Sequence, residues 1–367
     1  MSLLLRMMSH SFFKEKKILL IDADDKKKND RTWCFWETKP GPFQPVVYKE
    51  WDGIDFYSSS FSGRWEIAPY RYKMIRGIDL YQFVFAQISS HPNVHFLQDK
   101  VQHLRSENGQ AFVQTATAEF DGQYLFNSII FQPEMLQQKG SLLQHFKGWM
   151  IITEEEQFDS QFATFMDFRM GEPERNAFVY MLPLTSKKAL VEYTILSPSL
   201  LNKEEYDKGL ASYISQFLRI SHYKVKEEEF GVIPMSNFAF TKQSTSPIIQ
   251  VGTAGGQTKG SSGYTFQFIQ KHSDAIVQLL LNNKYPVKQD NMLNKRFKLY
   301  DDTLLHVLYN KQLTASQIFS HLFGRNKPQL IFKFLDNETN PAEELKIMNS
   351  VPTQIFLKAA GKQLLGY

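Results

Sequence analysis

Lys16-Lys-Ile-Leu-Leu-Ile-Asp-Ala-Asp-Asp25, continuing through Asn29-Asp-Arg-Thr-Trp-Cys-Phe-Trp-Glu37, is the stretch on which the reading of the fold turns. Ile18-Leu-Leu-Ile21 is a short apolar run closed by Asp22, the pattern of a buried parallel strand with an acid at its carboxyl end. In a doubly wound nucleotide-binding unit such an acid accepts hydrogen bonds from ribose hydroxyls and stands about 20 residues after a G-x-G-x-x-G turn. No such turn precedes Asp22. Met1 to His10 has instead the Leu and Met pattern of the later part of a helix feeding the strand.

A chain of 367 residues exceeds the usual size of one compact domain, so two intertwined domains are expected. The balance of 42 basic and 38 acidic residues contains no basic tract dense enough for a nucleic-acid surface, and Lys26-Lys-Lys28 reads as a solvated loop. The single cysteine, Cys34, excludes an intrachain disulfide and fits a reducing compartment. His91 and His95 are separated by Pro92 with no third ligand nearby, so no metal site is expected. No apolar run reaches the roughly 20 residues of a membrane span, and the start lacks the pattern of a secretion signal. The 31 phenylalanines are mostly core by their size, with an excess that would suit a long apolar tunnel.

Along the chain, Pro40-Gly-Pro42 is a break. From Val46 to Tyr72, short aromatic runs alternate with polar residues as in antiparallel strands. Leu80, Phe83, Val84 and Ile88 fall at helical spacing. Short strands follow from Val94 to Phe131, with Tyr124 to Phe131 expected in one sheet with Ile18–Asp22 and with 248–252. Met181-Leu-Pro-Leu184 and Ala189-Leu-Val-Glu-Tyr-Thr-Ile-Leu196 are strands joined by the turn Thr185 to Lys188, and Tyr206 to Arg219 reads as a helix on their face. Ile248 to Val251, the glycine-rich Gly252-Thr-Ala-Gly-Gly256 and the helix pattern of Phe266 to Leu281 make a strand, a loop and a helix. That loop suits either a ligand's close approach to backbone or a tight structural turn. Residues 290–367 are helical, with a packing or lid role.

Asp30-Arg-Thr-Trp-Cys-Phe-Trp36 resembles the signature that follows the nucleotide-binding unit in lycopene cyclases, which are flavoproteins. Gln144-His-Phe-Lys-Gly-Trp149, Met166-Asp-Phe-Arg169, Tyr180-Met-Leu-Pro-Leu184, Leu190-Val-Glu-Tyr-Thr194, Gly231-Val-Ile-Pro-Met235, Gly252–Gly256 and Ser262-Gly-Tyr-Thr-Phe266 fall in that family's order, so the resemblance covers nearly the whole chain. It implies a mixed α/β fold in which a Rossmann-like FAD-binding domain (1–45, 73–143 and 231–289, incomplete at its N-terminus) interleaves with an antiparallel-sheet substrate domain (46–72 and 144–230), followed by the helical region 290–367. It assigns Gly252, Thr253, Ala254, Gly255, Gly256, Gly263 and Tyr264, with Asp22, to FAD. Arg76, just ahead of a helix start, is either a cofactor neighbour, as in related flavoproteins, or a surface arginine.

Glu192 interrupts an apolar strand. By pattern alone a solvent-facing carboxylate is the better reading; the alternative is an acid in an apolar pocket, where lost hydration keeps it protonated near neutral pH. The family resemblance places an essential proton donor at this position, since a polyene offers only a terminal double bond to protonate. The implied reaction is closure of the ends of lycopene, or a related linear carotene, to β-ionone rings. It implies reduced FAD with NAD(P)H as electron source, an unidentified flavin-reducing partner and a cytoplasmic protein held peripherally at the membrane surface. A flavin monooxygenase and a truncated, inactive homologue are the rival readings. The missing glycine loop predicts poor FAD binding, inactivity and marginal solubility, and a natural reading frame extending upstream by roughly 15 to 20 residues.

Overall fold

A computed structural model describes residues 1–136, 138–170, 176–236, 238, 247–287 and 292–365; the expected boundary at 289 and 290 lies outside them. The strands are β1 (Ile18–Asp22), β2 (Thr32–Glu37), β3 (Lys49–Trp51), β4 (Gly53–Tyr57), β5 (Ser62–Glu66), β6 (Arg71–Arg76), β7 (Val94–Gln98), β8 (Val101–Glu107), β9 (Gln110–Thr115), β10 (Glu119–Gly122), β11 (Leu125–Asn127), β12 (Leu142–Ile152), β13 (Phe162–Asp167), β14 (Ala177–Thr185), β15 (Lys188–Ser197), β16 (Lys224–Met235) and β17 (Ile248–Gln250). The helices are α1 (Ser2–Met8), α2 (Gly77–Ser89), α3 (Lys203–Gln216), α4 (Phe266–Leu281), α5 (Met292–Tyr309), α6 (Ala315–Arg325), α7 (Pro328–Leu335), α8 (Pro341–Ser350) and α9 (Thr353–Leu364). The chain thus has the mixed α/β class its sequence implies.

The largest sheet runs β16-β12-β15-β14-β13-β4-β5 and is antiparallel except where β13 meets β4. Successive side chains alternate between its faces. On one face Ile151, Val191, Tyr193 and Ile195 pack against Tyr206, Leu210, Tyr213 and Ile214 of α3. On the other, Leu142, Phe165, Phe178, Leu190 and Leu196 join a core completed by Phe319, Phe323 and Phe332 of α6 and α7. The C-terminal helices therefore pack that face. Their ends are written locally: Thr314 with Gln317 and Asn340 with Glu343 form capping boxes, and Pro328 opens α7.

A smaller sheet, β2-β6-β3, joins this unit to the rest. Trp36, Tyr72 and Met74 enter the aromatic core, while Phe35 and Ile75 pack with Leu4, Leu80, Val84 and Phe266 of α1, α2 and α4. The Asp30–Trp36 motif is thus a two-faced connector. Asp30 accepts a 2.6 Å hydrogen bond from the Tyr81 hydroxyl of α2, and Trp36 Nε1 donates at 2.7 Å to Asp336 just beyond α7.

The expectation that 18–22, 124–131 and 248–252 share one sheet is not met. β1 pairs in parallel with β7, and β11 pairs in parallel with β17, as two separate two-stranded sheets. Ladder bonds require neighbouring strands about 4.8 Å apart. Here β1 and β11 instead line opposite parts of one cavity of about 1270 Å³, with Leu19 and Ile21 from one and Phe126 and Asn127 from the other. Of the short strands expected between 94 and 131, β8, β9 and β10 form an antiparallel meander, whose first turn is an Asn108-Gly109 pair with φ of 50° and 81°, the left-handed pair a tight hairpin requires.

Candidate active site

Glu192 lies on the core-facing side of the large sheet, because its alternation partners Leu190 and Leu196 belong to the aromatic core while Val191 and Tyr193 face α3. The solvent-facing reading of its pattern is therefore excluded. In register, Glu192 stands beside Gly148 on β12, and Glu229 of β16 stands beside the same glycine from the other side. Tyr180 of β14 completes the row next to Glu192. A methyl on Gly148 would come within 2.9 Å of Glu229 Cγ and 3.1 Å of Leu190. The glycine is what lets two carboxyl groups from non-adjacent strands meet over the sheet.

Thr194 Oγ1 donates to Glu192 Oε1 at 3.2 Å, and Thr32 Oγ1 donates to Glu229 Oε2 at 2.7 Å. Among the described residues Glu229 Oε1 is closed off from solvent and receives no hydrogen bond from an N–H or hydroxyl group. Both residues keep part of their surface accessible, yet protein atoms crowd the carboxyls. Desolvation, then the charge and hydrogen bond of Glu229, push Glu192 well above the usual carboxylate range against a smaller opposing contribution from Thr194. Desolvation also raises Glu229, with Thr32 and Glu192 opposing it. Burial raises Cys34, Tyr72, Tyr180 and Tyr264 around the pair as well. The two acids thus sit among a thiol, threonine hydroxyls and tyrosines at the edge of an apolar and aromatic core.

The residues proposed for a cofactor divide between two places. Asp22, Gly252 and Thr253 line the cavity between the strand pairs, whereas Ala254, Gly255 and Gly256 lie just beyond its lining. Gly252 and Gly256 have φ of 61° and 73°, and a methyl on Gly255 would strike the Gln250 carbonyl at 2.5 Å, so this turn after β17 needs its glycines for conformation. Gly263 and Tyr264 belong instead to the acid site: a methyl on Gly263 (φ 70°) would come within 3.0 Å of Gln144 Oε1, and Tyr264 packs edge-on against Trp36. Arg76 does not line the cavity. Its guanidinium grips Asp79 at 2.7 Å and lies over Tyr48, and its strand position is opposite Thr32.

A flavin dinucleotide can be tested against these groups. Asp22 ends a parallel strand at the cavity and offers a carboxylate to ribose hydroxyls, although it already contacts Lys26 at 3.2 Å. The short helical turn Gly252–Gly255 presents first N–H groups that have no partner within the turn. Asp22 thus suits the ribose of the group and the turn offers free N–H donors beside the cavity, while a G-x-G-x-x-G loop for its pyrophosphate stands nowhere in the chain. Sequence reasoning missed Glu229, because it ends the charged run Lys224-Val-Lys-Glu-Glu-Glu229, which reads as solvated; only its register beside Gly148 reveals it.

The same layout recurs in solved structures of low sequence identity. A geranylgeranyl bacteriochlorophyll reductase-like protein from Thermoplasma acidophilum superposes with a TM-score of 0.65 at 13% identity, covering 97% of this chain and 95% of that one. A flavoprotein/dehydrogenase from Cytophaga hutchinsonii gives 0.61 at 8% identity over 99% and 96%. At these identities the likeness is one of fold. A search among curated proteins finds no match. The chain belongs to the lycopene cyclase family, whose model (lycopene cyclase protein) matches residues 5–360.

Proposed function

We propose that this protein closes the ends of lycopene, or a related linear carotene, into β-ionone rings by acid catalysis without net redox change. The observation that supports this most directly is the place of Glu192 on the core face of the sheet, where desolvation raises its carboxyl well above the ordinary range, in a chain of the lycopene cyclase family. A hydrocarbon polyene has no heteroatom to activate, so ring closure starts with a proton delivered to a terminal double bond. A carboxyl held neutral by desolvation is suited to that delivery. Thr194 fixes one Glu192 oxygen, and the surrounding aromatic side chains keep water from intercepting the cation.

Asp22 and the Gly252–Gly256 turn would hold FAD, which in reduced form, with NAD(P)H as electron source, supplies negative charge to oppose the developing cation. No helix among the described residues is long and apolar enough to cross a membrane. Since the substrate dissolves only in lipid, we place the protein at the cytoplasmic membrane surface, bound peripherally.

Glu192→Gln keeps the side chain's shape and removes its proton, so it should abolish cyclic product by chromatography while leaving the near-ultraviolet circular dichroism unchanged. Wild-type product from this variant would overturn the assignment. Consumption of NAD(P)H in step with product would instead indicate a monooxygenase.

A further inference from the structure

We propose that Glu192 and Glu229 hold a single proton between them across Gly148, so that the pair is both the source of the proton a ring closure consumes and the place to which the departing proton returns. This deepens the cyclase reading and rests on it for its chemistry, but the sharing itself rests on geometry. The two acids occupy register positions on either side of one glycine, on the same face of three adjacent strands. Each has one oxygen committed to a threonine, Glu192 to Thr194 and Glu229 to Thr32. Among the described residues Glu229 Oε1, sealed from solvent, receives no hydrogen bond from an N–H or hydroxyl group, and its hydrogen-bonding neighbour is the carboxyl of Glu192. Two carboxylates brought together over one glycine repel each other, which favours retention of one proton by the pair.

The groups facing the pair are Thr32 and Cys34 from β2, Tyr72 through its contact with Cys34 from β6, Tyr180 from β14, Thr194 from β15 and Tyr264. Glu227 adds a further negative charge that acts on Glu229. No lysine or arginine among the described residues acts on Glu192. Lys147 turns to the opposite face, where it contacts Asp207 and Glu228.

The cycle balances. The O–H bond of Glu192 breaks as a C–H bond forms at the terminal double bond, and the neighbouring double bond's electron pair closes the ring. The acids are left as a dianion, whose repulsion favours taking one proton back. A ring C–H bond then breaks, its electrons form the ring double bond, and the proton rejoins the pair. No electrons leave the substrate and no second base is required. Glu229 acts through Glu192 and is thus a positioning residue.

The test is an infrared titration of the full chain without substrate, following the carbonyl band of protonated carboxyls. Asp336→Asn identifies the separate band of Asp336, whose carboxyl desolvation raises to about 7. Glu192→Gln should remove one band. Glu229→Gln should leave that band but move its titration to lower pH by about one unit or more, because a neutral amide replaces a neighbouring anion. Gly148→Ala, which keeps both acids and wedges a methyl against Glu229, should move it the same way. With turnover measurable, the alkaline limb of the pH–rate profile should move with the band. Two protonated bands from the pair at neutral pH, or an unmoved titration in Glu229→Gln or in Gly148→Ala, would overturn the proposal. Should Glu229→Gln fail to fold, the Gly148→Ala titration decides. An intact shared titration without ring products would overturn the cyclase reading alone.

Discussion

Asp336 shows how a single side chain can set the pH range of this fold. Its carboxyl is buried between Trp36, which donates to it, and the core of α7, and desolvation raises it from 3.8 to about 7. Because the folded value lies above the unfolded one, the folded state binds more protons between these two values, and stability falls as pH rises through that window. The loss is complete above about 7. Asp336→Asn keeps an acceptor for Trp36 and cannot ionise, so the variant should melt a few degrees higher than wild type at pH 8 and show no such gain near pH 4. Equal shifts at both pH values in thermal melts would show that ionisation of Asp336 is not the cause. Glu192 is the opposite kind of case: there the raised value serves the proposed chemistry, and stability lost to a buried acid is a known accompaniment of functional sites.

Among the elements, α9 combines two features that suit lipid. Leu357, Leu364 and the adjoining Leu365 are 68%, 72% and 75% exposed, and Lys358 and Lys362 stand on the same helix. Exposed leucines beside lysines favour an interface between apolar chains and anionic headgroups. Replacing the three leucines by serine should lower co-sedimentation with anionic phospholipid vesicles several-fold without altering the melting temperature by more than a degree or so, since these side chains bury little in the protein. Undiminished sedimentation would show that α9 makes no such contact. Helices such as α3, α4 and α6 were legible in the sequence because spacing and capping residues are local signals, and the β14–β15 hairpin because its turn is local too. The pairing of β13 with β4 in parallel and the separation of β1 from β11 were not, since register across a hundred residues leaves no local trace. The same limit explains the site: Glu192 is conspicuous within an apolar strand, whereas Glu229 is hidden in a run of charges and gains meaning only beside Gly148.

At the scale of the molecule, the cavity between the two parallel strand pairs divides the protein into parts of unequal cohesion. Among the described residues β1 and β11 each have a partner on one side only, while β12 and β15 lie inside a seven-stranded ladder. Amide exchange reports this difference directly, because a strand with one neighbour opens by losing a single set of bonds and an interior strand opens only with its sheet. In deuterated buffer the amides of Ile18–Asp22 and Leu125–Asn127 should therefore exchange orders of magnitude faster than those of Gln144–Met150 and Leu190–Ile195. Uniform protection across these segments would mean that the two halves open as one cooperative unit. If the contrast is found, a ligand that bridges the cavity would be recognised before any turnover assay exists, by the slowing of exchange at β1 and β11 together.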